Sequence, residues 1–102
     1  MKNDKVISLI GLAERARKVA SGEFSAEKAV KSGTAYLVIV AEDASDNTKK
    51  NFSDMCTYYE VPISIYGRKE FLGHGIGKEM RASLAILDEG FAKAIQKQID
   101  NK

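Results

Sequence analysis

The stretch G-E-F-S-A-E-K-A-V-K-S-G-T-A-Y-L-V-I-V-A-E-D-A-S, Gly22 to Ser45, decides the fold. A glycine opens a short helical pattern in which Ala26, Ala29 and Val30 share one face, and Gly33 stops it. Ser25 is placed to cap this helix. Ala35 to Ala41 then runs unbroken and apolar, as a strand buried on both faces does. A helix feeding such a strand is a unit of an α/β fold.

Reading outward, the neighbours repeat the alternation. Val6, Ile7, Leu9, Ile10, Ala13, Ala16 and Val19 recur at helical spacing, so Lys5 to Lys18 reads as an amphipathic helix capped by Asn3 or Asp4. Downstream, Ser45 starts a third helix with Phe52, Met55, Cys56 and Tyr59 as its apolar stripe, and Pro62 stops it. Ile63 to Tyr66 reads as a short strand. The glycine-rich stretch that follows, residues 67–78, holds one short helical turn. Ala82 to Leu87 is a second buried strand. Phe91 to Ile99 closes the chain as a helix with Phe91, Ala92, Ile95 and Ile99 inward, and the residues after it, Asp100 to Lys102, are expected to fray. Three or four strands and about five helices argue for a small, mostly parallel or mixed sheet with helices on both faces.

A chain of 102 residues reads as one domain, 1–102, able to bury one core. Its apolar fraction, 44%, is too high for disorder. No apolar run approaches the ~18 residues of a membrane span, and the N-terminus lacks the apolar core of a secretory signal. A lone cysteine cannot form an internal disulfide. These features point to the cytoplasm and away from membranes. The net charge of +2 hides an asymmetry. Residues 1–32 hold seven Lys/Arg against four Asp/Glu, residues 33–66 two against five, and residues 67–102 seven against five. If the two flanks meet in space, one face is basic.

Three constellations invite chemistry. Gly73-His74-Gly75-Ile76-Gly77-Lys78 resembles a nucleotide loop, but only three residues separate Gly73 from Gly77, and Glu79 follows Lys78 where Ser or Thr is required. A glycine hinge, or a backbone surface that approaches a ligand closely, fits better. His74 and Cys56 are the only residues of their kinds, which argues against a zinc site. Cys56 reads as a buried structural thiol and His74 as a solvated loop residue. Glu42 and Asp43 end the buried strand, where α/β folds place ligands. As a catalytic pair they are weak, because adjacent strand residues point apart, and a turn capping the third helix accounts for Asp43. No nucleophile, metal site or cofactor pocket emerges, so neither an enzyme nor a cofactor is expected.

The Gly22 corner carries more. A helix N-terminus offers unsatisfied N–H groups and partial positive charge, which suit a phosphate. Lys28 and Lys31 lie three apart on that helix, and Arg15, Arg17 and Lys18 precede the glycine by a few residues. Phe24 could stack on an unpaired base or staple onto Ala29, and both readings stay open.

The order of G-x-x-x-x-x-K-A-V-x-x-G, a buried strand ending A-E-D, and L-G-x-x-x-G before a second buried strand resembles the kink-turn-binding ribosomal protein family, the L7Ae/L30e type. The resemblance covers about Val6 to Phe91. Within it, A-R-K-V-x-S-G-E, E-D-A-S-x-N-T-K-K and G-I-G-K-E look like the bacterial YlxQ-type branch of ribosomal proteins. The family implies a three-layer α/β/α sandwich that binds sharply bent RNA flanked by sheared G·A pairs. It implies contacts from the start of the second helix, here Gly22, Glu23, Phe24, Ser25 and Lys28, with Lys31 on the same helix. It implies further contacts from the loop before the last strand, here Gly77, Lys78, Glu79 and Met80, with Glu42 and Asp43 beside them. Archetypal members carry Asn-Glu where this chain has Phe24-Ser25, so two groups that read the G·A pairs are replaced. The expectation is a non-enzymatic protein that docks on structured RNA, with ribosomal or other ribonucleoprotein proteins as further partners. The alternatives are a protein-interaction module on the same scaffold and a small nucleotide-binding enzyme.

Overall fold

A computed structural model describes residues 4–101. Nine elements follow one another: α1 (Lys5–Arg15), β1 (Val19–Ser21), α2 (Glu23–Lys31), β2 (Leu37–Val40), α3 (Asp46–Tyr59), β3 (Ile63–Ile65), α4 (Lys69–Gly75), β4 (Ser83–Ile86) and α5 (Glu89–Asp100). The strands form one mixed sheet in the order β1-β4-β2-β3. β4 is antiparallel to both neighbours, and β2 and β3 are parallel. α2 and α3 pack together on one face, and α1 packs against α4 and α5 on the other. The expected α/β/α sandwich is therefore the observed architecture.

Burial follows the sequence pattern. Every residue of β2 and β4 is buried, because helices cover both faces of the two central strands. Ile10, Leu37, Ile39, Phe52, Leu72, Leu84, Ile86 and Ile95 fill the core. Side chains of their own N-cap residues fix three of the helix starts. Asp4 accepts from the amides of Val6 at 2.8 Å and Ile7 at 3.2 Å. Ser45 accepts from Thr48 at 3.1 Å and Asp88 from Phe91 at 2.9 Å. The other proposed cap, Asn3, lies outside the described residues, as does Lys102 of the C-terminal tail. α5 itself continues through Asp100.

Four local expectations are corrected. α1 stops at Arg15, not Lys18. Arg17 turns left-handed at φ +62°, and the freed chain pairs with β4 as β1, a strand too short to show a pattern in sequence. Ser25 does not cap α2: Gly22 is the cap residue, and Ser25 lies inside the helix. Tyr59 is not on the buried stripe of α3, being 41% exposed at its last turn. The glycine-rich segment holds a seven-residue helix, and His74 stands on it, exposed, and not in a loop.

Candidate nucleic-acid interface

Strand directions gather four chain segments at one end of the sheet. β1 ends there, β4 begins there, and β2 and β3 end there, since Ser21 pairs with Leu84, Val40 with Ser83, and Val40 with Ile65. Main-chain hydrogen bonds stitch these ends in a row. The Gly22 amide donates to the Ser83 carbonyl at 2.9 Å and the Ala41 amide to the Ala82 carbonyl at 2.9 Å. The Glu42 amide donates to the Gly67 carbonyl. The start of α2, the loop before β4 and the acidic corner after β2 are thus neighbours, although 60 positions separate Gly22 from Ala82.

At the first of these, Gly22 adopts φ +92° and ψ 161°, a conformation essentially restricted to glycine, and it caps α2 without a side chain. No side chain covers the first-turn amides, so they keep their hydrogen-bonding capacity and partial positive charge. Phe24 is 80% exposed and staples nothing; of its two readings, only the exposed aromatic fits. Glu23 and Ser25 flank it, also exposed. Lys28 is exposed and forms no ion pair among the described residues. Lys31 differs: Glu27 holds its ammonium at 2.7 Å, and that hydrogen bond raises its pKa.

The loop after α4 is built by close approach. A Cβ on Gly73 would stand 1.3 Å from the Glu79 carbonyl oxygen, so the chain crosses α4 where only glycine leaves room. The Lys78 amide donates back to Gly73 at 2.9 Å and the Arg81 amide to Lys69 at 3.0 Å. This lays Gly77, Lys78, Glu79 and Met80 on the surface, with Met80 60% exposed. The nucleotide-loop reading fails here. The amides of Ile76, Gly77 and Lys78 are all spent on carbonyls of Gly73 and His74, leaving no cradle for a phosphate.

The acidic corner divides. Glu42 is exposed. Asp43 caps α4, accepting from the Lys69 amide at 2.8 Å, and its other oxygen lies 3.5 Å from Arg68. The Lys69 amide is the main cause of its depressed pKa, and Arg68 adds to it. Asp43 therefore anchors α4 rather than the third helix assigned to it from sequence. Arg68, Lys69 and Arg81 stand at the same sheet end and were missed. Arg68 and Lys69 follow the end of β3 and Arg81 precedes β4, and only the strand order brings those two ends together. The basic flanks converge only in part: Lys18 lies beside Leu87 at the opposite end of β1, with Arg15 and Arg17 before it.

Cys56 is buried in α3, and burial pushes its thiol up to about 11, so it stays neutral and inert. Among the described residues no group of three His, Cys, Asp or Glu could hold a metal ion. No helix among them is long and apolar enough to cross a membrane.

Comparison with known proteins agrees with this architecture. The chain is 46% identical over 92 residues to the RNA-binding protein YlxQ of Bacillus subtilis, covering 90% of this chain and 92% of that one. It is 41% identical over 96 residues to the RNA-binding protein YlxQ of Enterococcus faecium, covering 94% and 92%. A Bacillus halodurans protein of unknown function has the same structure at a TM-score of 0.93 and 40% identity, covering 96% of this chain and 99% of that one. A Giardia lamblia 15.5 kD RNA-binding protein shares the fold at a TM-score of 0.79 and 21% identity, covering 99% and 90%. Residues 4–96 match the ribosomal protein L7Ae/L30e/S12e/Gadd45 family. The chain belongs to that family.

Proposed function

We propose that this protein binds structured RNA through the sheet end where α2 starts and β4 begins, the 1–102 chain acting as one RNA-binding domain. The carrying observation is the hydrogen-bonded row from Gly22 through Ser83, Ala82 and Ala41 to Glu42 and Gly67. The open amides of α2, with Phe24 and Lys28, follow Gly22, and the Gly77–Met80 loop precedes Ala82, so the row supports one surface built from both segments. The YlxQ relatives are RNA-binding proteins by name, which supports the reading. The α2 amides and Lys28 hold phosphates. Phe24 stacks on an unpaired base, and Met80 covers the bend from the other side. Ribosomal or other ribonucleoprotein RNA in the cytoplasm is the proposed setting.

The surface is close to neutral, because Glu23, Glu42, Asp43 and Glu79 share this end with Lys28, Arg68, Lys69, Lys78 and Arg81. Binding therefore depends on shape and stacking more than on field. A titration of a kink-turn RNA against salt should give a log–log slope of roughly −2 to −3, from about three phosphate contacts. Equal affinity for a straight duplex of the same composition would overturn the bent-RNA reading. No binding at low salt, with a basic family member binding in parallel, would overturn RNA binding itself. Phe24→Asn with Ser25→Glu installs the family's Asn-Glu pair. It should raise kink-turn affinity by roughly tenfold or more, by analogy with base readout in DNA.

A further inference from the structure

A second cleft lies beside this surface, between the end of β3 and α4. It measures about 560 Å³, and its walls are Tyr66 and Phe71, whose rings meet edge to face at 6.2 Å. The rim is acidic. Asp4, Glu42 and Glu70 line it, against Arg68 and His74. Asp4 is committed, its carboxylate accepting from the α1 amides and from the Tyr66 hydroxyl at 3.0 Å. Arg68 is drawn toward Asp43. Glu42 and Glu70 are exposed and form no ion pair among the described residues. Glu42 is close enough to act on the cleft: burial chiefly, with Asp4 and Glu42, pushes the Tyr66 hydroxyl up to about 12.

We propose that this cleft receives an arginine side chain from a basic segment of a protein partner. Two uncompensated carboxylates over aromatic walls complement a cation and repel a phosphate, which sets this cleft apart from the RNA surface next to it. Guanidinium fits better than ammonium. It is planar, stacks on aromatic rings, is weakly hydrated and forks between two carboxylates. The cleft is larger than one guanidinium, leaving room for the chain that carries it. A segment docked here would run past Glu42 toward the start of α2. It would link a protein partner to the same end of the sheet without sharing the residues assigned to RNA, Glu42 apart. The inference stands on the cleft alone and does not require that reading.

The test uses three neutral-context peptides, acetyl-Gly-Ser-Xaa-Ser-Gly-amide, with Xaa arginine, lysine or citrulline, titrated into the full chain and followed by amide chemical shifts. The arginine peptide should perturb Glu42, Gly67, Phe71 and His74. Citrulline, which keeps the shape and removes the charge, should bind roughly tenfold more weakly, with lysine between them. Glu42→Gln with Glu70→Gln, both exposed, should weaken the arginine peptide several-fold at an unchanged melting temperature. Equal binding of all three peptides, or shifts outside the cleft, overturns the proposal. It is also overturned if a structured RNA perturbs the Phe71 and His74 amides as strongly as the arginine peptide does, because the cleft would then be part of the RNA surface.

Discussion

Two glycine-bearing corners of this protein look alike in sequence and do opposite work. Gly22 opens α2, and Gly73 to Gly77 spans the end of α4 and its exit. At Gly22 nothing lies within 4 Å of where a Cβ would stand, and the glycine is needed for its φ alone. At Gly73 the backbone angle is unremarkable, and the glycine is needed because the Glu79 carbonyl occupies the space of a side chain. The first corner ends with free donors, and the second spends its donors on itself. A glycine-rich run is thus no indicator of a phosphate site until the destination of its N–H groups is known.

Five substitutions would break or sharpen this contrast. The largest effect belongs to Gly73→Ala, which drives a methyl into backbone that cannot move aside. Urea denaturation should show a loss of about 3 kcal/mol or more. A loss below ~1 kcal/mol would mean that the loop does not lie on α4 as described. Gly22→Ala meets no neighbour and should cost only the strained conformation, about 1–3 kcal/mol in the same assay. Phe24→Ala should leave the melting temperature unchanged, because the ring is 80% exposed, and lower RNA affinity by about 1–3 kcal/mol in a filter or anisotropy titration. Unchanged affinity would remove Phe24 from the interface. The smallest effects separate the two lysines of α2. Lys28→Ala should weaken RNA binding by roughly three- to tenfold and reduce the salt slope by about 1, whereas Lys31→Ala should change affinity by less than about twofold, its ammonium being held by Glu27. Equal losses at both positions would show that the whole outer face of α2, not its first turns, meets the RNA.

Much of the fold was legible. The amphipathic stripes of α1 and α5, the unbroken apolar runs of β2 and β4, and the caps Asp4 and Ser45 are local signals, read from a few consecutive residues. β1 was not legible, since three residues carry no periodicity and become a strand only when β4 supplies their hydrogen bonds. Nor was the start of α2: Ser25 is a good cap by residue type, but the strained Gly22 already fixes where the helix begins. Within the candidate site, Gly22, Phe24 and Lys28 were named from the residues themselves, and Lys78 from the family resemblance. Arg68 and Arg81 were missed, because each looks like ordinary surface charge until strand order places it.

The sequence by itself determined every element but β1, the apolar faces that must be buried, and a resemblance to the family. The elements and faces follow from local backbone preference and from the free energy of removing apolar groups from water, both written in short windows of residues, and the resemblance rests on the order of three motifs. Only the tertiary structure decided which loops share an end of the sheet, that Asp43 anchors α4, that the amides of residues 76–78 are consumed, and that an acidic aromatic cleft stands beside β3. Those depend on hydrogen bonds and close approaches between segments far apart in the chain, and no window of sequence contains both partners.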